Sequence, residues 1–357
     1  MTKTLAVVLA LVAAGPVVAQ NPPVVDSAWD ASADAPRPKA VDIGVPRKAG
    51  RLELKGLRAL APDGFDNGAL YQSPDGKVFA TAYVYRPGFP DPSYTLLMTG
   101  SAIEARFPGA RAAPEELVTV DGVPALHKRT YAGGRVPIDG GGSGEVTTIA
   151  GALRADDWIV KLRATGPAPR HDEVVAAFDA LVAGLRFGPG AKPLTSALDT
   201  VGRCPEADGA KPARLAAAPA DKGGLMPLQL MVLTAANPID RKSPRAPRKL
   251  CEVARQAGQT GLSIVLSEEG RGYPTIMLLG DAGNAIVSTP AVAGLTGWGV
   301  ISATRAGATM FGPFDRAPTA AQLLGVANGT DFNWAGKGIA RMTRDAKGQP
   351  NIQISPP

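Results

Sequence analysis

The chain predicts an α+β protein of two domains, each a largely antiparallel sheet with flanking helices. Hairpin signals recur along it, as short runs that alternate apolar and polar side chains between Asp-Gly and Gly-rich turns. A few segments instead repeat apolar residues at helical spacing. The third observation is size. With 357 residues, 45% of them hydrophobic, the chain holds enough apolar material for two cores of about 100–200 residues each.

The first twenty residues predict export. Lys3 gives a positive start, Leu5–Ala14 is an apolar run, Pro16 breaks it, and Val17 and Ala19 place small residues before a cut ahead of Gln20. Residues 1–19 therefore read as a signal peptide. The run is shorter than the about 20 residues a membrane span needs, and no later stretch reaches about 18 uninterrupted apolar residues, so no transmembrane segment is expected after cleavage. No cysteine lies near the cut, which argues against a lipid anchor.

Residues 20–50, rich in Pro, Ala and charge, read as a flexible leader. From Leu52 the pattern sharpens. Ala69–Gln72 and Lys77–Arg86 form a hairpin across Ser73-Pro74-Asp75-Gly76. Asp91 caps a helix with Pro92 in its first position; Tyr94, Leu97, Met98, Ala102 and Ala105 share one face, and Pro108-Gly109 ends it. A second hairpin turns at Asp121-Gly122 between Glu116–Val120 and Pro124–Tyr131. Gly140–Gly144 leads into Glu145–Leu153, and Ala155-Asp156-Asp157 returns the chain to Trp158–Ala164. Val174, Val175, Phe178, Leu181, Val182 and Leu185 define a last helix, whose N-terminal dipole Asp172 and Glu173 complement.

Three short segments here resemble the Mog1/PsbP-like superfamily: Ala61-Pro62-Asp63-Gly64-Phe65, Asp121-Gly122-Val123-Pro124-Ala125, and Phe178–Phe187 with its ending Gly184-Leu185-Arg186-Phe187. The resemblance covers about residues 52–188, under half of the chain. It implies an α/β/α sandwich over residues 51–188 and a binding or accessory role, and it carries no shared catalytic residues.

Residues 189–198 read as a linker and 199–357 as a second α+β domain that resembles no family. There Leu228–Leu233 is a buried-strand candidate and Arg248–Ala257 a short helix, with Leu250, Val253, Ala254 and Ala257 aligned. Strands follow at Leu262–Leu266, Thr275–Leu279, Ala285–Ser288, Gly299–Ala303 and Thr309–Phe311. Pro318–Ala327 reads as a helix, and Gly338–Arg344 with Gln349–Ser355 as a final hairpin.

The chemistry-bearing residues are few. Cys204 and Cys251 are the two cysteines, and in an exported chain an even count predicts one disulfide. His127 and His171 are the two histidines. The first reads as an exposed strand residue beside Arg129 and the second as a helix-start residue, neither at metal-ligand spacing. A Ser-His-acid site can still assemble in space, because such sites are defined by geometry, yet the chain has no G-x-S-x-G elbow. The acid pairs Glu115-Glu116, Asp156-Asp157 and Glu268-Glu269 sit at turns, where solvated charge is the ordinary role, and Gly140–Gly144 lacks the lysine of a phosphate cradle. No catalytic, metal-binding or cofactor-binding residue is assigned, and no cofactor is expected.

The formal charge of +6, or +5 without Lys3, is mild for this length and predicts no specific nucleic-acid binding. One cluster stands out. Arg241, Lys242, Arg245, Arg248 and Lys249, interrupted by Pro244 and Pro247, form a basic loop that is either a contact for an anionic surface or a solvated connection. The sequence thus predicts a periplasmic or secreted, non-enzymatic binding or accessory protein of the cell envelope, its partner an unknown protein or envelope component. Two alternatives stand beside it: a cofactor-independent hydrolase with a site at the domain interface, using His127 or His171, and a purely structural envelope component.

Overall fold

The computed structural model describes residues 24–32, 34–137, 142–205, 211–214, 216, 246–258, 261–280, 283–290, 297–305, 307–328, 340–344 and 350–354. The first half is built on strands β1 (Leu52–Ala59), β2 (Asp66–Gln72) and β3 (Phe79–Tyr85), helix α1 (Pro92–Arg106), then β4 (Glu116–Val120), β5 (Val123–Pro137), β6 (Ser143–Ala155), β7 (Trp158–Pro167) and helix α2 (His171–Gly184). The sheet runs β1-β2-β3-β7-β6-β5-β4, antiparallel throughout, with Val24–Val25 added in parallel outside β1. Alternation along β6 divides its two faces. Ile149 and Leu153 join Val174, Ala177, Phe178 and Leu181 of α2, whereas Ala150 and Ala152 join Leu96, Ile103 and Phe107 at α1. Gly151, between them, lets α2 close on the sheet: a Cβ there would stand 2.8 Å from the Phe178 ring.

The second half carries β8 (Thr200–Arg203), β9 (Lys249–Gly258), β10 (Gly261–Glu268), β11 (Ile276–Leu279), β12 (Asn284–Pro290), β13 (Trp298–Thr304), β14 (Gly307–Phe314), α3 (Ala320–Asn328), β15 (Ala340–Arg344) and β16 (Pro350–Ile354). They form one nine-stranded sheet in chain order, with β8 parallel to β9 and every later pair antiparallel. One face, through Leu250, Ile264, Leu266, Ile276, Leu278 and Ala285, packs on Phe89, Tyr94 and Met98. The other, through Val265, Met277, Ile286 and Val300, packs on Phe314 and Leu323.

Helix α1 is thus a layer shared by two sheets, which corrects its reading as one amphipathic stripe. Tyr94 and Met98 face the second sheet and Leu96 and Ile103 the first, while Ala102 and Ala105 are exposed. The fold class is also corrected. Of the described residues 51% are strand and 15% helix, so the protein is mainly β with a curled antiparallel sheet, not a helix-flanked α+β sandwich. Geometry gives the reason in the second half. The nine residues of α3 span about 14 Å, against about 40 Å across nine strands.

Three local readings change as well. Residues 249–258 are strand rather than helix. A bulge where the register slips between Glu252 and Ala254 moves the apolar side chains off strict alternation and imitates helical spacing. Residues 24–50, read as a flexible leader, supply Trp29, Ile43, Val45 and Ala49 to the first core, and Ile43–Gly44 pairs with Arg186–Phe187. The 189–198 segment, read as a linker, is pinned to the first sheet: the Leu194 N–H donates to the Arg154 carbonyl at 2.9 Å, the Ser196 N–H to the Pro124 carbonyl at 2.9 Å, and Ala191 is buried. Residues 1–19, Leu228–Leu233 and the first two residues of the glycine loop, Gly140 and Gly141, lie outside the described residues.

Candidate functional site

Two places concentrate polar chemistry. The first is the junction of the two halves, where β4, β5, α1 and the 189–198 segment meet. His127 points inward from β5 and is completely buried, which corrects its reading as an exposed strand residue. Its Nδ1 lies 2.6 Å from Glu115 Oε1, and its Nε2 2.6 Å from Ser196 Oγ. Ser93 Oγ of α1 is 3.5 Å from the same Nδ1. Arg129, two residues on along β5 and so on the same face of the strand, donates from Nη2 to the other Glu115 oxygen at 2.7 Å. In the tautomer with the proton on Nδ1, that nitrogen donates to Glu115 and Nε2 is the acceptor for the Ser196 hydroxyl.

Glu115, Ser93 and Arg129 also border a cleft of about 650 Å³ between the halves, whose other wall includes Asp199, Arg203, Glu252 and Arg255. Arg248 closes its neighbourhood. Its guanidinium reaches Asp91 Oδ2 at 2.8 Å and Asp199 Oδ2 at 2.6 Å, and lies 4.2 Å from the centre of the Tyr94 ring. Burial works to lower its pKa, but the charges of Asp91, Tyr94 and Asp199 outweigh it and raise the pKa above the usual arginine value.

The second place is a groove of about 880 Å³ on the first half. Val118, Val120, Phe178, Val182, Leu185 and Phe187 give it apolar surface, and Arg37, Asp42, Asp121, Lys128, Asp179 and Arg186 give it charge of both signs. It is bordered by β4, the strand that ends the sheet order, and by the short ribbon of Ile43–Gly44 with Arg186–Phe187.

The remaining sequence candidates are dispersed. His171 opens α2 and is exposed. Asp157 pairs with Arg86 in a largely buried contact, while Glu268 with Arg271 and Glu269 with Lys249 form surface pairs. The basic loop does not hold together: Arg241, Lys242 and Arg245 lie outside the described residues, Lys249 is exposed, and Arg248 is turned inward onto two carboxylates. Cys204 and Cys251 are joined, with Cα atoms 4.8 Å apart where β8 pairs with β9. Among the described residues no group of three or more His, Cys, Asp or Glu forms a metal site, and no helix is long and apolar enough to cross a membrane.

Sequence reasoning missed Ser196, Asp199 and the inward role of Arg248. Ser196 is 69 positions from His127 and in a segment without periodicity, so no spacing rule joins them. Glu115 was singled out only as half of a solvated acid pair.

No family model matches the chain, and no curated protein matches it. Among solved structures it is similar to LpqN, a protein involved in cell envelope biogenesis of Mycobacterium tuberculosis, at 12% identity, over 47% of this chain and 90% of that one, with a TM-score of 0.23. At that score the overlay carries no argument about fold or role. The Mog1/PsbP-like resemblance of the sequence segments thus gains no support from these comparisons.

Proposed function

We propose that this is an exported protein of the cell envelope that acts by binding an extended peptide segment of a partner protein. The groove beside β4 carries the reading. A strand at the end of a sheet has an edge that an added strand can pair with, and apolar pockets beside it select alternate side chains. Here the edge strand itself lines the groove through Val118, Thr119 and Val120, and the apolar surface continues onto α2 through Phe178 and Val182. The reading of residues 1–19 as a signal peptide and the Cys204–Cys251 disulfide support an oxidising compartment.

A library of random decapeptides, selected on the protein lacking residues 1–19, tests the binding. Alternating apolar sequences should be enriched, and their affinity should fall at least tenfold in Val182→Asp, since Val182 is only partly buried and faces the groove. Equal enrichment on the variant, with both proteins melting alike, would remove the groove as the site.

A further inference from the structure

We propose that Ser196, His127 and Glu115 form a nucleophilic site that hydrolyses carboxylic esters, separate from the groove. The three residues meet in the order that general-base activation of a serine requires. Ser196 Oγ and Glu115 Oε1 occupy opposite nitrogens of one imidazole, each at 2.6 Å. Glu115 is held in place through its other oxygen by Arg129. The ring is completely buried, while Ser196 is only partly so. The imidazole is thus closed to bulk solvent in the resting protein, and the part-exposed Ser196 is the side from which a substrate and the hydrolytic water must enter.

The contacts are not needed to tether the segment that carries Ser196. Backbone bonds from Leu194 to Arg154 and from Ser196 to Pro124, with the bridge between Ala155 and Pro193, already do that. The positions are set by three separate segments, the residue just before β4, strand β5 and the 189–198 segment, which is how such sites arise on unrelated folds.

The chemistry balances with water alone. Ser196 Oγ bonds to the ester carbonyl carbon as its proton passes to His127 Nε2. The carbonyl π pair moves to oxygen and returns as the carbon–alkoxy bond breaks, and His127 gives its proton to the departing alcohol. Water, deprotonated by His127, then attacks the acyl-serine, releasing the carboxylic acid and restoring the serine hydroxyl. Glu115 stabilises the transient imidazolium through Nδ1–H.

The test uses the mature-length chain, a fluorophosphonate probe and p-nitrophenyl acetate. The probe should attach to the peptide containing Ser196, and Ser196→Ala should abolish attachment. His127→Gln should slow it at least about 100-fold. Because His127 is buried and its variant is open to misfolding, wild-type protein unfolded in denaturant gives a second readout: labelling at Ser196 should be lost with the fold. Absence of label on Ser196 in the folded wild type, labelling that is equally fast in a folded His127→Gln, or labelling at Ser196 that is as fast in the unfolded chain would each overturn the proposal. Ester turnover that persists in Ser196→Ala would also overturn it.

Discussion

Arg248 Nη2 stands 2.8 Å from Asp91 Oδ2, joining the residue just before β9, inside the loop that the disulfide closes, to the residue that caps α1. The same nitrogen lies 2.6 Å from Asp199 Oδ2, and the Arg248 backbone N–H donates to Asp199 Oδ1 at 2.8 Å. The two carboxylates are 1% and 2% exposed, against 18% for the arginine. One cation thus serves two buried anions at the joint between the halves. Asp91 also accepts from the Tyr94 N–H, so helix start and domain contact depend on one side chain.

Arg248→Met should therefore destabilise the protein strongly, by about 3–5 kcal/mol, because it leaves two nearly buried carboxylates without the cation they share. Denaturant unfolding measures this. Adding Asp199→Asn to the variant should recover part of the loss, since one of the stranded charges is then gone. A single variant as stable as wild type would show that water reaches the pair.

Gly88 makes the second contact across the joint. A Cβ there would lie 2.5 Å from the Thr304 nitrogen and 2.6 Å from the Ala303 carbonyl, both backbone atoms that no rotamer change can move aside. Beside it the Phe89 N–H donates to the Gly283 carbonyl at 3.0 Å. Gly88→Ala should cost about 1–3 kcal/mol as the halves are wedged apart. Amide exchange at Phe89 should accelerate more than exchange in the β6–β7 ladder. Unchanged protection at Phe89 would mean that the contact gives way without cost.

These joints explain what could be read from the sequence and what could not. Local signals placed the strands well: the Asp121-Gly122 turn, the reversal at Asp156 and the meander from Leu262 to Phe311 all lie where alternation and turn residues put them. The α2 stripe of Val174, Phe178 and Leu181 was legible because it packs on one sheet only. On α1, Tyr94, Leu97 and Met98 do share one face, which packs on the second sheet, whereas the other buried face, Leu96 and Ile103, was missed and Ala102 and Ala105 are exposed, because a helix that buries two faces shows no single stripe. Residues 249–258 imitated a helix through their bulge. The partners of His127 and Arg248 come from segments 69 and 157 positions away, distances that only the assembled fold closes.

The disulfide should stabilise the second half chiefly by restricting the unfolded chain. Its half-cystines are 47 positions apart, and closing a loop of that length is worth about 4 kcal/mol in the chain-entropy model. The parallel pairing of Thr200–Arg203 with Lys249–Glu252 holds the ends together in the native state. The Cys204→Ala, Cys251→Ala double variant should therefore fold with the same strand content but melt at lower temperature. Thiol titration of denatured, unreduced protein exported to the periplasm should find no free thiol. Two free thiols, or a double variant that melts with wild type, would remove this role.

Asp75 and Arg170 provide a pH-dependent contact between the β2–β3 turn and the start of α2. The Arg170 guanidinium hydrogen-bonds Asp75 Oδ2, and Ser73 Oγ donates to Asp75 Oδ1 at 2.6 Å. These bonds, the arginine first, hold the Asp75 carboxyl well below the usual carboxylate range. A carboxyl whose pKa is depressed on folding adds stability that is full above its unfolded value, about 3.9, and is lost as pH falls below it toward the folded value. Asp75→Asn should thus melt slightly below wild type at pH 7. The gap should be about 1 °C, because Asp75 is 48% exposed and the pair is screened by solvent. It should shrink steadily below about pH 4 as the wild-type carboxyl takes up its proton. Added salt at pH 7 should narrow the gap in the same direction. A gap that stays constant from pH 7 to pH 2.5, or widens in acid, would show that Asp75 acts through the turn geometry it shares with Ser73 and Lys77 and not through its charge.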